Sequence, residues 1–264
     1  MNRTDLAIET SGVRRETATV CGLPLVRSTI NAATAGTVGK TAGDYYTLHC
    51  PDRDIPRETA AMKRLLSRLI KKRGRILVCG LGNEQITPDS LGTRTARSVV
   101  ATTHLSELPD FADMGMREVS VCLPGVLAQT GTESAEFIAM LVEKTKPVQV
   151  VVVDSLACGE LSRVDKVIQV STAGVSPGSG VGNSRLQLSR RTLGVDVLAI
   201  GVPTVLDLES VAQSDEIARI KPMVVGRDID ITVRHFAKVI SSALNTTLNP
   251  NLTAGEIERL SIRI

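Results

Sequence analysis

Tryptophan is absent from this chain of 264 residues, and only two Tyr and three Phe are present. So few rings exclude base stacking as a way of holding single-stranded nucleic acid. No apolar run approaches the ~18 residues of a membrane span, so no membrane partner is expected. The opening residues, MNRTDLAIET, lack the apolar stretch of a secretory signal. Charge of one sign is also scarce: 31 Lys+Arg stand against 28 Asp+Glu, a formal net charge of +3. That is too little to mark a DNA-binding face, and no direct nucleic-acid partner is expected. The five cysteines (Cys21, Cys50, Cys79, Cys122 and Cys158) are odd in number and form no C-x-x-C. They read as reduced thiols of a cytoplasmic protein. The three histidines, His49, His104 and His235, are scattered, so no metal and no other cofactor is expected.

What is present is a chain with 42% apolar residues, enough for a packed core, and no linker long enough to divide it. Residues 1–264 are expected to form a single domain. Within it, 1–55 is a small β-rich N-terminal part and 56–264 an α/β core. Residues 44–49 alternate as a strand does, in a small sheet expected to precede the main layer. Pro56 opens a helix predicted over 56–74, with Met62, Leu65, Leu66, Leu69 and Ile70 on one stripe. Lys71-Lys72-Arg73 then complements the helix C-terminus and needs no nucleic acid to explain it.

From Arg75 the pattern is strand, glycine turn, helix, repeated. RILVCGLGN (75–83), VQVVVVD (148–154) and VDVLAIGVPTV (195–205) are continuous apolar runs. Such runs belong to a parallel sheet covered on both faces. Thr87-Pro88-Asp89 opens a helix predicted to reach Val99-Val100. Thr130-Gly131-Thr132-Glu133 has capping-box spacing ahead of a helix carrying Ile138, Leu141 and Val142. A long helix is predicted from Asp228 to Leu248. The fold class is therefore α/β: a doubly wound, mostly parallel sheet with helices on both faces, plus the N-terminal β-rich extension.

Ligands of such sheets bind outside the carboxyl ends of the strands. Three segments bring unusual residues there: Gly80-Leu81-Gly82-Asn83 with Asp89, then Asp154 after four valines, and the loop from Ser176 to Asn183. Asp154 and Asp89 each fit two roles, a helix cap or a crevice carboxylate. As a pair they match general acid/base chemistry, one ionised to activate water and one protonated to serve the leaving amine. A serine nucleophile fails: Gly174-Val175-Ser176-Pro177-Gly178 fits G-x-S-x-G, but Pro177 has no N–H for an oxyanion hole. The loop containing Gly178, Ser179, Gly180, Gly182 and Asn183 lacks the phosphate-loop lysine. It is read, with Asn83, as shaping a substrate site.

GLGNEQITPDSLG (80–92), LPGVLAQTGTESAE (123–136), VVVDSLAC (151–158), PGSGVGNSR (177–185) and LAIGVPTVLD (198–207) together, in this order, resemble the germination protease family. RTDLAIE (3–9) and residues 229–250 are similar too. The resemblance implies a fold related to hydrogenase-maturation endopeptidases and an atypical aspartic mechanism. It also implies a homotetramer made as a zymogen in the spore core, whose substrates are small acid-soluble spore proteins. The family's two essential aspartates, in T-P-D-x-L-G and D-x-L-A, fall on Asp89 and Asp154.

Three departures stand out. Asp207 lies only 22 residues before Ile229, so the family's insertion there is expected to be largely missing. Thr172 and Ser176 stand where the family carries an acidic residue and a histidine. Only Met1 and Asn2 precede Arg3-Thr4-Asp5, so the removable propeptide is expected to be missing as well. The expectation is an endopeptidase acting through Asp89 and Asp154. Its rivals are a metal-dependent maturation-type protease and a non-catalytic sensor or scaffold that binds an anion or peptide.

Overall fold

The computed structural model describes residues 4–111, 113–176, 186–208 and 223–262. Among them, the strands form one mixed sheet of nine. Its parallel half contains β4 (Ile76–Gly80), β5 (Val119–Cys122), β6 (Gln149–Cys158) and β8 (Asp196–Asp207), side by side in the order β5-β4-β6-β8. The chain runs from β4 outward to β5 and then returns to the other side of β4. That reversal makes the gap between the carboxyl ends of β4 and β6 the topological switch point, where open α/β sheets bind their ligands.

The other half is antiparallel and continues the same sheet. β1 (Arg14–Val20), β2 (Leu23–Ile30) and β3 (Gly43–His49) lead to β7 (Val167–Ser171), which pairs antiparallel with β8. β9 (Met223–Val225) pairs with the far end of β8. The N-terminal part is therefore an extension of the main sheet and not a sheet preceding it. Local chemistry makes its first hairpin: Cys21 (φ 50°) and Gly22 (φ 76°) take left-handed conformations in a two-residue turn, the geometry that matches strand twist.

Helices cover both faces, as expected. On one face lie α2 (Ile55–Leu69), α3 (Leu91–Arg97) and α7 (Ile229–Leu248), packed on Val78, Val151, Val153, Ile200 and Val202. On the other, α5 (Ser134–Thr145) and the short α6 (Arg190–Leu193) cover Leu77, Val150, Val152 and Val197. α2 starts at Asp54, whose carboxylate accepts the Arg57 N–H at 3.1 Å, with Pro56 in the first turn. It ends five residues earlier than the sequence predicts. Ile70 turns extended, and the Lys71 N–H goes to Gln149 Oε1 instead of into the helix. The basic run thus follows the helix instead of closing it. The expected capping box ahead of α5 does not form either. Glu133 is the N-cap without a side-chain bond, and Thr130 Oγ1 is engaged by its own loop. All five cysteines are free thiols, four of them buried.

Candidate active site

Asp89 is delivered by the connection between β4 and α3. After β4 the Leu81 N–H reaches across to the Val153 carbonyl at 2.9 Å, and Gly82 turns the chain at φ +96°. The turn Thr87–Asp89 is a 3-10 turn, separate from α3. Asp89 does not cap α3: its Oδ2 reaches back to accept the Asn83 N–H at 2.7 Å. Asn83 in turn ties two loops together, its Oδ1 accepting the Gln85 N–H at 3.0 Å and the Gln129 Nε2 of α4 (Leu127–Thr130) at 2.7 Å. Gln129 carries no catalytic signature in the sequence, and only the fold reveals its contact.

The turn is laced onto the sheet by glycines. A Cβ on Gly82 would lie 1.9 Å from the Asp89 carbonyl oxygen, and one on Gly92 would lie 2.2 Å from that of Val153. The Asp89 turn packs against β6, β8 and α7. Gly92 thus rests on the residue immediately before Asp154.

Asp154 is buried, at 7% exposure. The sequence reading ends its strand at this residue, but β6 continues to Cys158, so no helix follows for Asp154 to cap. The strand persists because β8 stays paired with it through Leu206, across a bulge between Leu156 and Ala157. Asp154 Oδ1 accepts its own neighbour's N–H, from Ser155, at 2.9 Å. Its partner in register is Gly201. Beside Gly201 opens a cavity of about 110 Å³, lined among others by Lys40, Tyr45, Leu156, Gln169 and Ser171. It has room for a few waters or one small side chain. Burial holds the Lys40 ammonium below the usual lysine range and pushes the Tyr45 phenol up to about 12.

Gly178, Ser179, Gly180, Gly182 and Asn183 lie outside the described residues. Among the described residues no group of three or more His, Cys, Asp or Glu side chains is placed to hold a metal ion. His235 is buried in α7 with its Nε2 2.6 Å from Glu58 Oε2 of α2. Nearby in the fold, burial raises the Asp165 carboxyl to about 6, opposed by the charge of Arg53 and a hydrogen bond from Thr232.

A family model described as germination protease matches residues 2–221 of the chain. The chain belongs to the germination protease family. It is 36% identical to the germination protease of Caldanaerobacter subterraneus subsp. tengcongensis, over 84% of this chain and 83% of that one. Identity with the Clostridium acetobutylicum germination protease is 32%, covering 97% and 98% of the two chains. With that of Bacillus cytotoxicus it is 35% over 91% of this chain, which spans 66% of that protein's length. Among solved structures, the [NiFe] hydrogenase maturation protease HycI from Thermococcus kodakarensis KOD1 aligns with a TM-score of 0.40. That likeness has 20% identity and covers 68% of this chain and 98% of the other. Germination protease family membership makes this a chain of a spore-germination protease family, and no helix among the described residues is long and apolar enough to cross a membrane.

Proposed function

We propose that this chain is an endopeptidase that degrades small acid-soluble spore proteins during germination, with Asp89 and Asp154 as its general acid/base pair. The observation that carries the reading is the convergence of both carboxylate-bearing segments on the switch point between β4 and β6, with Gly92 seated on the Val153 carbonyl. In the reaction, ionised Asp154 takes a proton from water as the water oxygen attacks the scissile carbonyl carbon. Protonated Asp89 gives its proton to the amide nitrogen as the C–N bond breaks. A carboxylic acid and an amine leave, and the proton on Asp154 passes back to Asp89 for the next turnover.

The substrate would lie extended along the strand ends. The small cavity beside Gly201 is sized for a modest side chain. Gly178, Ser179, Gly180, Gly182 and Asn183 are proposed, with Asn83, to shape the substrate site, as their glycine-rich sequence suggests. An unstructured substrate suits such a site, and ordering on DNA would protect it. The same reading places the enzyme in the spore core as a homotetramer. Exposed Phe137 and Met140 on α5 are consistent with self-association.

Dialysis against a strong chelator, followed by an assay on a purified small acid-soluble spore protein, tests the mechanism. Undiminished cleavage is expected. Activity that vanishes and returns with one specific divalent ion would transfer the reading to the metal-dependent maturation type.

A further inference from the structure

β4 parts from β6 at Val153, and β6 runs on to Cys158 with only β8 beside it. The abandoned edge is covered by residues 4–9, which form no strand there. Asp5 clamps Ala157 from both sides: its N–H donates to the Ala157 carbonyl at 2.9 Å, and its Oδ2 accepts the Ala157 N–H at 2.8 Å. Glu9 continues the pattern, Oε2 accepting the Gly159 N–H at 2.8 Å and Oε1 the Glu160 N–H at 3.2 Å. Two carboxylates thus accept three backbone donors of this overhang and its exit. Gln169 of β7 fixes the covering segment in turn. Its Oε1 accepts the Ala7 N–H at 2.8 Å and its Nε2 donates to the Asp5 carbonyl at 3.1 Å. Leu6 and Ala7 are fully buried.

The clamp has a particular address. Ala157 is where the β6–β8 register shifts, facing the extra residue, Thr204, that β8 carries there. Asp154 stands three residues upstream, between this clamp and the Leu81–Val153 hydrogen bond. We infer that Asp5 and Glu9 are positioning residues, holding the end of β6 at Ala157, opposite the bulge in β8, so that the Asp154 carboxylate stays in place at the site. The inference rests on the two-aspartate reading. Displacements of about 1 Å at a reacting group cost on the order of 100-fold in rate.

The test compares Asp5→Ala, Asp5→Asn, Glu9→Gln and Asp154→Asn on a purified small acid-soluble spore protein. Folding is checked by circular dichroism, and assays run below the unfolding transition of every variant. Asp5→Ala should lose roughly 10- to 100-fold in kcat, and its kcat–pH profile should shift because the Asp154 surroundings change. Asp5→Asn retains an oxygen acceptor and should recover most of that loss, whereas Glu9→Gln turns one of its two acceptors into a donor facing a backbone N–H and should lose kcat several-fold. A folded Asp5→Ala protein with parental kcat and pH profile would overturn the inference. So would Asp5→Asn as inactive as Asp5→Ala, since the charge and not the acceptor would then matter. If Asp154→Asn keeps parental activity, it is the two-aspartate reading that fails, whatever the Asp5 variants do.

Discussion

Gly92→Ala separates what local propensity says from what the packing says. In an open helix this change is favourable by about 1 kcal/mol, because alanine is the better helix former. In α3 the new Cβ would stand 2.2 Å from the Val153 oxygen, 2.4 Å from the Leu81 oxygen and 2.6 Å from the Leu81 nitrogen. All three are backbone atoms, so no side-chain rotation relieves the contact. Restoring an ordinary separation of roughly 3.5 Å moves α3 about 1 Å off the sheet. Overpacking of this kind costs up to about 3 kcal/mol, and the immobility of the three atoms puts the cost at that upper end. After the propensity gain, a net loss of about 2 kcal/mol remains, which lowers Tm by roughly 4–8 °C for a chain of this size. Asp89 lies three residues before Gly92 and moves with α3, so kcat on a spore protein should fall at least ~10-fold in the folded fraction. Thermal unfolding by circular dichroism and a steady-state cleavage assay measure both. A Tm equal to or above that of the parent would refute the close approach of α3 to β4 and β6.

Three further outcomes follow from the side chains. Asp165 titrates near 6 in the folded chain because burial disfavours its charge. Its raised value means that its contribution to stability is whole below about pH 4 and lost as pH rises through about 6. Asp165→Asn keeps the neutral form at all pH and tolerates the residue's left-handed φ of 59°, so its Tm advantage over the parent should grow from pH 4 to 7; a constant difference would contradict this. Glu58→Ala leaves the His235 ring nitrogen buried without its hydrogen-bond partner and should cost about 2 kcal/mol in urea unfolding, and a midpoint like the parent's would deny the pair its structural role. Asn83→Ala removes the acceptor shared by Gln85 and Gln129. It should lower kcat by less than either aspartate change while Tm stays within a few degrees, and an unchanged kcat would show that the loop holds Asp89 without it.

The parallel half of the sheet is legible because its signals are local. Val150 to Val153 and Val197 to Val202 are β-branched or aliphatic with hardly a break, as strands covered on both faces must be. How the antiparallel half joins it is not, since that depends on pairs such as Tyr46 with Val170, more than a hundred residues apart. Asp154 looked like a strand end because a charge followed four valines. Pairing with β8 carries the strand past it, and no pattern within the segment announces that. The same holds for Asp5 and Glu9, whose partners lie about 150 residues away. Asp89 carried a cap signal that the fold does not use, because the Asn83 N–H, brought back by Gly82, takes the carboxylate. Asp89 and Asp154 could still be singled out as candidates, because reasoning about strand ends needs only the strands themselves.

The most direct test of the two-aspartate account is the turnover of an unfolded small acid-soluble spore protein by purified Asp89→Asn and Asp154→Asn proteins, each checked for an unchanged thermal transition. A neutral amide keeps the shape of the carboxyl but cannot carry the proton. The account predicts that cleavage falls to background in both folded variants. Near-parental cleavage by either one would contradict it.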